Sequence, residues 1–312
     1  MPDTISSTLD TALLLRIGDE RGELFTDTKI NQFLAQSQLI KKILNSENSH
    51  SNPILSLIFK LSALSEIPYS SRLPEVQVLI EMLKEKASTG QGFSYTGHVD
   101  DIVPCYNAMV LEAFARFGLA KTHECQNALA WIKRYQLFER NQVTEWRHKG
   151  IYKHGGCLGK TPCYIGIGKT VRALITYRAF CENPDQQIDN LIAKGLSYMK
   201  KHQFFLRLSA NQPISKHITE NIFPQSYFLS LTDLIYIYSK GDCSKQQSSE
   251  ALLELLKGKQ MNQNQQYKID YLYRYPGYVS FDNRRGKSEW LTFLYPHWLK
   301  GTQIITKNRG AN

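Results

Sequence analysis

The feature that most restricts this chain is a periodic punctuation by proline. Four long apolar segments each open on one: Pro53-ILSLIFKLSAL, Pro104-CYNAMVLEAFARFGL, Pro162-CYIGIGKTVRALITY and Pro224-QSYFLSLTDLIYIY, at intervals of about 50 to 60 residues. Proline at the first helical position gives up an N–H that has no partner there anyway and brings a helix-compatible φ, so each predicts a helix start. A fifth segment, Ser288-EWLTFLYPHWLK, follows at similar spacing, with Ser288 as N-cap and Pro296 as a kink. All five are apolar nearly all round, the pattern of buried helices.

Between them lie segments with one apolar stripe and a wet face: Lys29 to Leu44, Glu75 to Lys86, Thr122 to Leu137, Gln186 to His202 and Ser248 to Lys259. In EVQVLIEMLKEK, Val76, Leu79, Ile80 and Leu83 follow the i, i+3, i+4, i+7 rule of an amphipathic helix. Inner and outer helices therefore alternate in five visible pairs, with Ser7 to Ile17 as an extra helix and no sustained β alternation. The fold class is all-α, and the expected architecture is an α/α toroid of about five to six outer/inner pairs. It forms a single domain over 1–312, with 1–28 set apart as an N-terminal extension. An open solenoid of helix pairs would give the same alternation.

The connections are unequal. Inner-to-outer links are short, whereas outer-to-inner links such as Leu137 to Thr161 and Gln260 to Lys287 run to about 25 residues. Long loops in a compact domain are usually functional. In a ring they gather at one end, beside the N-termini of the inner helices, where the helix dipoles favour anions. The net charge of +10 suggests an anionic partner, and nine basic or potentially basic residues fall in two of these loops. They are Arg147, His148, Lys149, Lys153, His154 and Lys160, then Arg284, Arg285 and Lys287. That placement suits a phosphorylated or carboxylated small ligand better than a nucleic acid, although a solvated basic rim would look the same. Six cysteines without a CxxC pair read as reduced thiols of a cytoplasmic protein. The first 25 residues lack a basic leader, and no apolar run reaches 18 residues, so a soluble protein is expected.

Two loops end alike. Phe93-SYTGHVDDIVPCY and Trp146-RHKGIYKHGGCLGKTPCY both close on Pro-Cys-Tyr, which makes Cys105 and Cys163, and Tyr106 and Tyr164, equivalent. Together with IFPQSYFLSLTDLIYIYSKGD and FDNRRGKSEWLTF, these strings make the chain resemble the prenyltransferase/squalene-cyclase repeat superfamily over residues 50–300. Within it, the chain is most similar to a single-toroid branch with Cys-Gly-x-x-Pro-Cys-like motifs. The resemblance implies a toroid whose cavity handles isoprenoids.

The resemblance implies two chemistries. In class II cyclases an Asp-x-Asp-Asp motif protonates an alkene, and aromatic faces steer the carbocation. Here His98-Val99-Asp100-Asp101 matches only the final pair, so Asp100 would be the acid, with Asp101 and His98 as its tuners. A solvated loop whose aspartates favour the helix start at Pro104 is the plainer alternative. In protein prenyltransferases zinc is held by aspartate, cysteine and histidine. The candidate ligands are Cys105, Cys157, Cys163 and His154, with His98, His148 and His297 behind them, against a reading of the cysteines as packed structural thiols. Tyr95, Tyr106, Tyr164, Tyr227 and Trp290 would line the cavity, with Phe93, Tyr152, Phe228 and Trp298 nearby. Arg147, Lys149, Lys153, Arg284 and Arg285 would clamp a diphosphate.

Other motifs fail. Gly159-Lys-Thr and Gly168-Lys-Thr lack the P-loop glycine five positions earlier, where His154 and Cys163 stand. No serine-hydrolase elbow, zinc finger or RNA-binding pattern is present. Three functions follow in order: an isoprenoid enzyme of the cyclase or prenyltransferase kind, a carbohydrate-active toroid acting on an anionic sugar, and a non-catalytic binding or scaffold toroid.

Overall fold

The computed structural model describes residues 9–148, 156–181, 185–241, 250–261 and 264–308, with side chains as far as 300. Among them are twelve α-helices: α1 (Thr11–Arg21), α2 (Asp27–Gln36), α3 (Gln38–Leu44), α4 (Pro53–Ser65), α5 (Pro74–Ala87), α6 (Pro104–Arg116), α7 (His123–Tyr135), α8 (Tyr164–Phe180), α9 (Gln186–Lys201), α10 (Leu231–Lys240), α11 (Glu250–Gly258) and α12 (Glu289–Asn308). Two small antiparallel hairpins accompany them, β1 (Ser88–Thr89) with β2 (Gly92–Phe93) and β3 (Leu206–Arg207) with β4 (Ala210–Pro213). The described residues are mostly helical, with no closed sheet among them, in keeping with an all-α class.

Some helix starts follow the prolines and others do not. Pro53 and Pro104 are the first residues of α4 and α6, and Ser288 caps α12 by accepting the N–H of Leu291 at 3.0 Å. The third apolar segment starts two residues later than expected: α8 opens at Tyr164, and Cys163 takes the N-cap position. The fourth departs further. From Pro224 to Ser230 the chain is irregular, the Phe223–Pro224 peptide is cis, and α10 opens only at Leu231. There Ser230 and Asp233 form a capping box, each satisfying the other's backbone N–H, which is a stronger start signal than proline alone. The outer segment expected over Lys29 to Leu44 is broken at Ser37. Its hydroxyl donates to Asp10 Oδ1 at 2.6 Å and accepts the N–H of Ile40, so one residue ends α2 and begins α3.

Neighbour relations run from helix to helix. α6 packs on α4, α7 and α8, α8 on α9 and α10, and α10 on α12. α12 in turn touches α1, which touches α2 and α3, and α3 touches α4. The segment set apart as an N-terminal extension is thus joined to both the fourth and the last helices, for Arg16 of α1 donates to Glu66 Oε2 at 3.0 Å.

Where α4, α6, α8 and α10 meet, the core is ionic. Arg172 donates through Nε to both oxygens of Glu112 at 3.0 Å and through Nη1 to Asp233 Oδ1 at 2.9 Å, and its Nη2 reaches Glu66 Oε1. Arg116 pairs with Glu112 at 3.1 Å and Lys169 with Asp233 at 3.1 Å. All of these side chains are at most 5% exposed. Burial alone would raise the Glu66 carboxyl, yet Arg116, Arg172 and Arg16 together hold it down at about 2. Such a network contributes less net stability than its bonds suggest, but it penalises any arrangement that leaves one charge unpaired.

Candidate functional site

The openings of α6 and α8 lie side by side because Gly166 permits it. A Cβ there would stand 3.0 Å from the Cβ of Pro104, so glycine lets the first turn of α8 approach the first residue of α6. Cys105 is thereby brought close enough to Cys163 to feel its charge, and Cys157, which feels both, joins them from the loop before α8. That loop is folded back by the N–H of Cys163 donating to the carbonyl of Cys157 at 3.2 Å.

The three thiols differ. No conventional cap bond closes α8, but the sulfur of Cys163 lies within reach of the backbone N–H groups of Ile165 and Gly166. A thiol hydrogen bond from Cys157 is the largest influence on Cys163 and, with those N–H groups, outweighs burial to bring it down to about 6. The same bond, reinforced by burial, pushes the Cys157 thiol far up. Burial, with the neighbouring Cys163 charge, pushes Cys105 up to about 12. One thiolate is therefore held by one thiol donor, with a second thiol beside it. Cys163 is the partly exposed member, while Cys105 and Cys157 are buried.

Around the thiols runs an aromatic floor built from four separate segments. Tyr95 and Tyr106 have ring centroids 5.6 Å apart, and Tyr106 and Tyr227 are 5.8 Å apart. Phe59 of α4 stands 6.4 Å from Tyr106 and 5.3 Å from both Tyr273 and Tyr275. The strand-like segment that carries the last two is pressed onto α4 at Gly277, whose φ is +88° and where a Cβ would lie 2.5 Å from the carbonyl oxygen of Ser56. The hydroxyl of Tyr278 then ties that segment to the carbonyl of Pro224 at 2.9 Å. Tyr95, Tyr106, Tyr227, Tyr273 and Tyr275 all stay partly exposed. Burial, and then the charges of Cys105, Cys163 and Cys157, raise the Tyr227 phenol to about 12, which places it among the thiols. Burial likewise raises Tyr106 and Tyr273, so every phenol of the floor for which a shift is resolved is held neutral.

The acidic pair is split between two partners. Val99–Asp101 form one 3-10 turn, from which Asp100 Oδ1 meets His148 Nδ1 at 2.5 Å and Asp101 Oδ2 accepts the Thr96 hydroxyl at 2.8 Å. The remaining oxygen of Asp101 is buried without a partner. Burial is the main influence raising Tyr95, and the charge of Asp101 is the next, so this carboxylate adjoins the floor. Asp100 is engaged by His148, which with Tyr135, Trp146, Arg134 and Arg147 lines a separate groove of about 640 Å³. His98 is mostly exposed and lies 3.6 Å from Asp100.

Of the other residues singled out from the sequence, several sit apart from the floor. Tyr164, expected to match Tyr106, donates its hydroxyl to the carbonyl of Phe204 at 2.7 Å and packs beside Tyr198 and His202, because α8 starts one residue after Cys163. Trp290 is buried against Phe223 and Phe281. Arg284 and Arg285 are exposed in the loop before α12, and Arg147 is exposed on the groove. His297 lies 3.4 Å from Glu20, which also takes the indole N–H of Trp298 and pairs with Lys240 at the last residue of α10. Lys149, Tyr152, Lys153 and His154 fall outside the described residues.

Zinc does not fit what is described. Among the described residues no three histidine, cysteine, aspartate or glutamate side chains converge to hold a metal ion, and the thiols engage one another instead. Sequence reasoning missed Tyr273, Tyr275 and Tyr278, although YLYRYPGY is a visible signal: a run of aromatics in a long loop has to be packed somewhere. Compared with known proteins, the chain matches no protein-family model and no curated protein.

Proposed function

We propose that the chain is an α/α ring that handles an apolar small molecule of the isoprenoid class, as an enzyme of the terpene-cyclase or prenyltransferase kind. The ring is inferred from the cycle of neighbours, in which α1 links α12 back to α3 and α4. One observation carries the substrate class: five partly exposed tyrosines, Tyr273 and Tyr275 from one segment and the others from elsewhere in the chain, converge with Phe59 next to the opened helices. Convergent aromatic faces suit a polyene and stabilise positive charge that develops on it. Asp101, beside Tyr95 and with one oxygen lacking a partner, is the carboxyl suited to an acid step. No disulfide joins the five described cysteines, which fits a reducing compartment, and the cytoplasm is part of this proposal. No helix among the described residues is long and apolar enough to cross a membrane.

The test is calorimetric titration of the purified chain with farnesyl diphosphate and with farnesol. Binding of both is expected, with Tyr106→Ala or Tyr227→Ala weakening it by roughly tenfold. Asp101→Asn should leave binding intact and remove product formation as followed by mass spectrometry. Binding of an anionic oligosaccharide but neither isoprenoid would replace this reading with the carbohydrate one. A second reading, a non-catalytic ring, is favoured by the ion network that occupies the junction of α4, α6, α8 and α10. It predicts an apolar ligand that is bound and released unchanged by the native chain.

A further inference from the structure

We propose that Cys163 and Cys157 form a thiol–disulfide exchange site that reduces small apolar disulfides seated on the tyrosine floor, with Cys163 as the attacking sulfur and Cys157 as the resolving one. The inference goes beyond the substrate reading above, because it requires the floor but not an isoprenoid. Four observations lead to it.

The first is access: Cys163 is partly exposed, whereas Cys157 and Cys105 are buried, so an incoming disulfide meets one sulfur. The second is position. Cys163 is the N-cap of a 17-residue helix, where the N–H groups of Ile165 and Gly166 reach its sulfur and the helix dipole favours an anion. The third is the partner. Cys157 donates its thiol hydrogen bond to Cys163, so the two sulfurs are already at contact distance, and the loop between them is held by the Cys163 N–H on the Cys157 carbonyl at 3.2 Å and by Gly159 on Gly156 at 2.9 Å. The fourth is the seat. Tyr227 stays partly exposed and lies near enough to Cys105, Cys163 and Cys157 to feel their charges, so a molecule resting on the floor sits beside the attacking sulfur.

The chemistry balances within the pair and its substrate. The Cys163 thiolate attacks one sulfur of R–S–S–R′, a Cys163–S–R bond forms, and R′–S⁻ leaves. Cys157 then gives up its proton to the leaving thiolate and attacks the Cys163 sulfur, expelling R–S⁻ and closing a Cys157–Cys163 disulfide. Two electrons pass from the two cysteines to the substrate. A dithiol reductant returns the pair to its starting state.

The experiment uses the full reduced chain with a limiting amount of the aromatic disulfide dithiobis(nitrobenzoate). Two equivalents of released thiolate per molecule of reagent are expected, and trypsin, which cuts after Lys160, should leave the peptides bearing Cys157 and Cys163 joined by a disulfide. Cys157→Ser should stop at one equivalent with the mixed disulfide on Cys163. Cys163→Ser should slow release by at least about tenfold, and Cys105→Ala should change neither result. Equal reactivity of Cys125 or Cys181 would sink the proposal. So would a native mixed disulfide that persists without joined peptides, or stoichiometric zinc released when Cys163 is alkylated. Should Cys163→Ser fail to fold, Cys157→Ser and the joined peptides decide alone. Isoprenoid binding by Cys157→Ser separates the two proposals, since that variant keeps the floor and loses only the resolving thiol.

Discussion

The openings of α6 and α8 carry the same tripeptide and do different things with it. In Pro104-Cys105-Tyr106 the proline is the first helical residue, so the cysteine lies inside the first turn, buried, with its thiol pushed up to about 12. In Pro162-Cys163-Tyr164 the helix begins two residues after the proline, and the cysteine is left at the cap, partly exposed and brought down to about 6. The tyrosines diverge for the same reason: Tyr106 joins the floor and Tyr164 is directed to the carbonyl of Phe204. A shift of two positions against the helix start moves a sulfur from the body of a helix to its positive end and turns its neighbour by about 200°. A shared motif therefore need not mean a shared role.

The largest effect is expected where the two helices are locked together. Arg172 of α8 holds Glu112 of α6 and also Glu66 and Asp233, all buried. Arg172→Met leaves these carboxylates short of a partner and should destabilise the chain by about 3–5 kcal/mol, read from urea unfolding. The two openings would then lose their fixed register, and the contrast between Cys105 and Cys163 should shrink. Lowering the pH attacks the same lock. Glu66 is held at about 2 against 4.5 when free, so its contribution is fully present above about pH 4.5 and is lost as the pH falls through 2. A variant already less stable at neutral pH, with an unchanged loss over that acid window, would mean that Glu66 is held by Arg16 and Arg116 alone.

The second prediction addresses the thiols directly. At pH 7 Cys163 is far more thiolate than Cys105, although the weaker nucleophilicity of a low-pKa sulfur offsets part of that gain. The net expectation is that iodoacetamide labels Cys163 faster than Cys105 by on the order of 100-fold or more. The Cys163 rate should fall below about pH 6 as its sulfur takes up a proton, with peptide mass spectrometry following each site. Equal rates, or a Cys163 profile that rises only near pH 9, would remove the contrast.

Much of this architecture is legible in the chain. Pro53, Pro104 and Ser288 announce helices because their own backbone or side-chain chemistry acts locally, and EVQVLIEMLKEK buries Val76, Ile80 and Leu83 as its spacing says. What stays hidden is non-local. Nothing in Pro162-Cys163 tells whether the helix starts on the proline or two residues later; that is decided by the folded loop carrying Cys157. The ion network is hidden for a different reason, since Arg and Glu count as surface residues by type. The usable signal is their setting: Lys169 and Arg172 in IGIGKTVRALITY and Glu112 in MVLEAFARF interrupt helices that are otherwise apolar, and a charge that cannot reach water has to be paired. The floor was half visible, through Tyr95, Tyr106 and Tyr227, and completed by tyrosines from a loop whose path only the fold reveals.

The smallest effect tests why the two openings touch at all. Gly166→Ala places a methyl group 3.0 Å from the Cβ of Pro104, and a proline ring cannot rotate out of the way. Overpacking of this kind costs about 1–3 kcal/mol, while alanine returns roughly 1 kcal/mol of helix propensity in α8. The net loss should be about 1 kcal/mol, a small shift in the urea midpoint. Its consequence for the sulfur is more telling, because the residue that must move is also the one whose N–H reaches Cys163. Iodoacetamide labelling of Cys163 at pH 7 should therefore slow several-fold while that of Cys125, which lies on α7, stays constant. A stability loss without slower labelling would show that Cys157 alone holds the thiolate, and the difference between the two openings would then rest on the loop and not on the helix start.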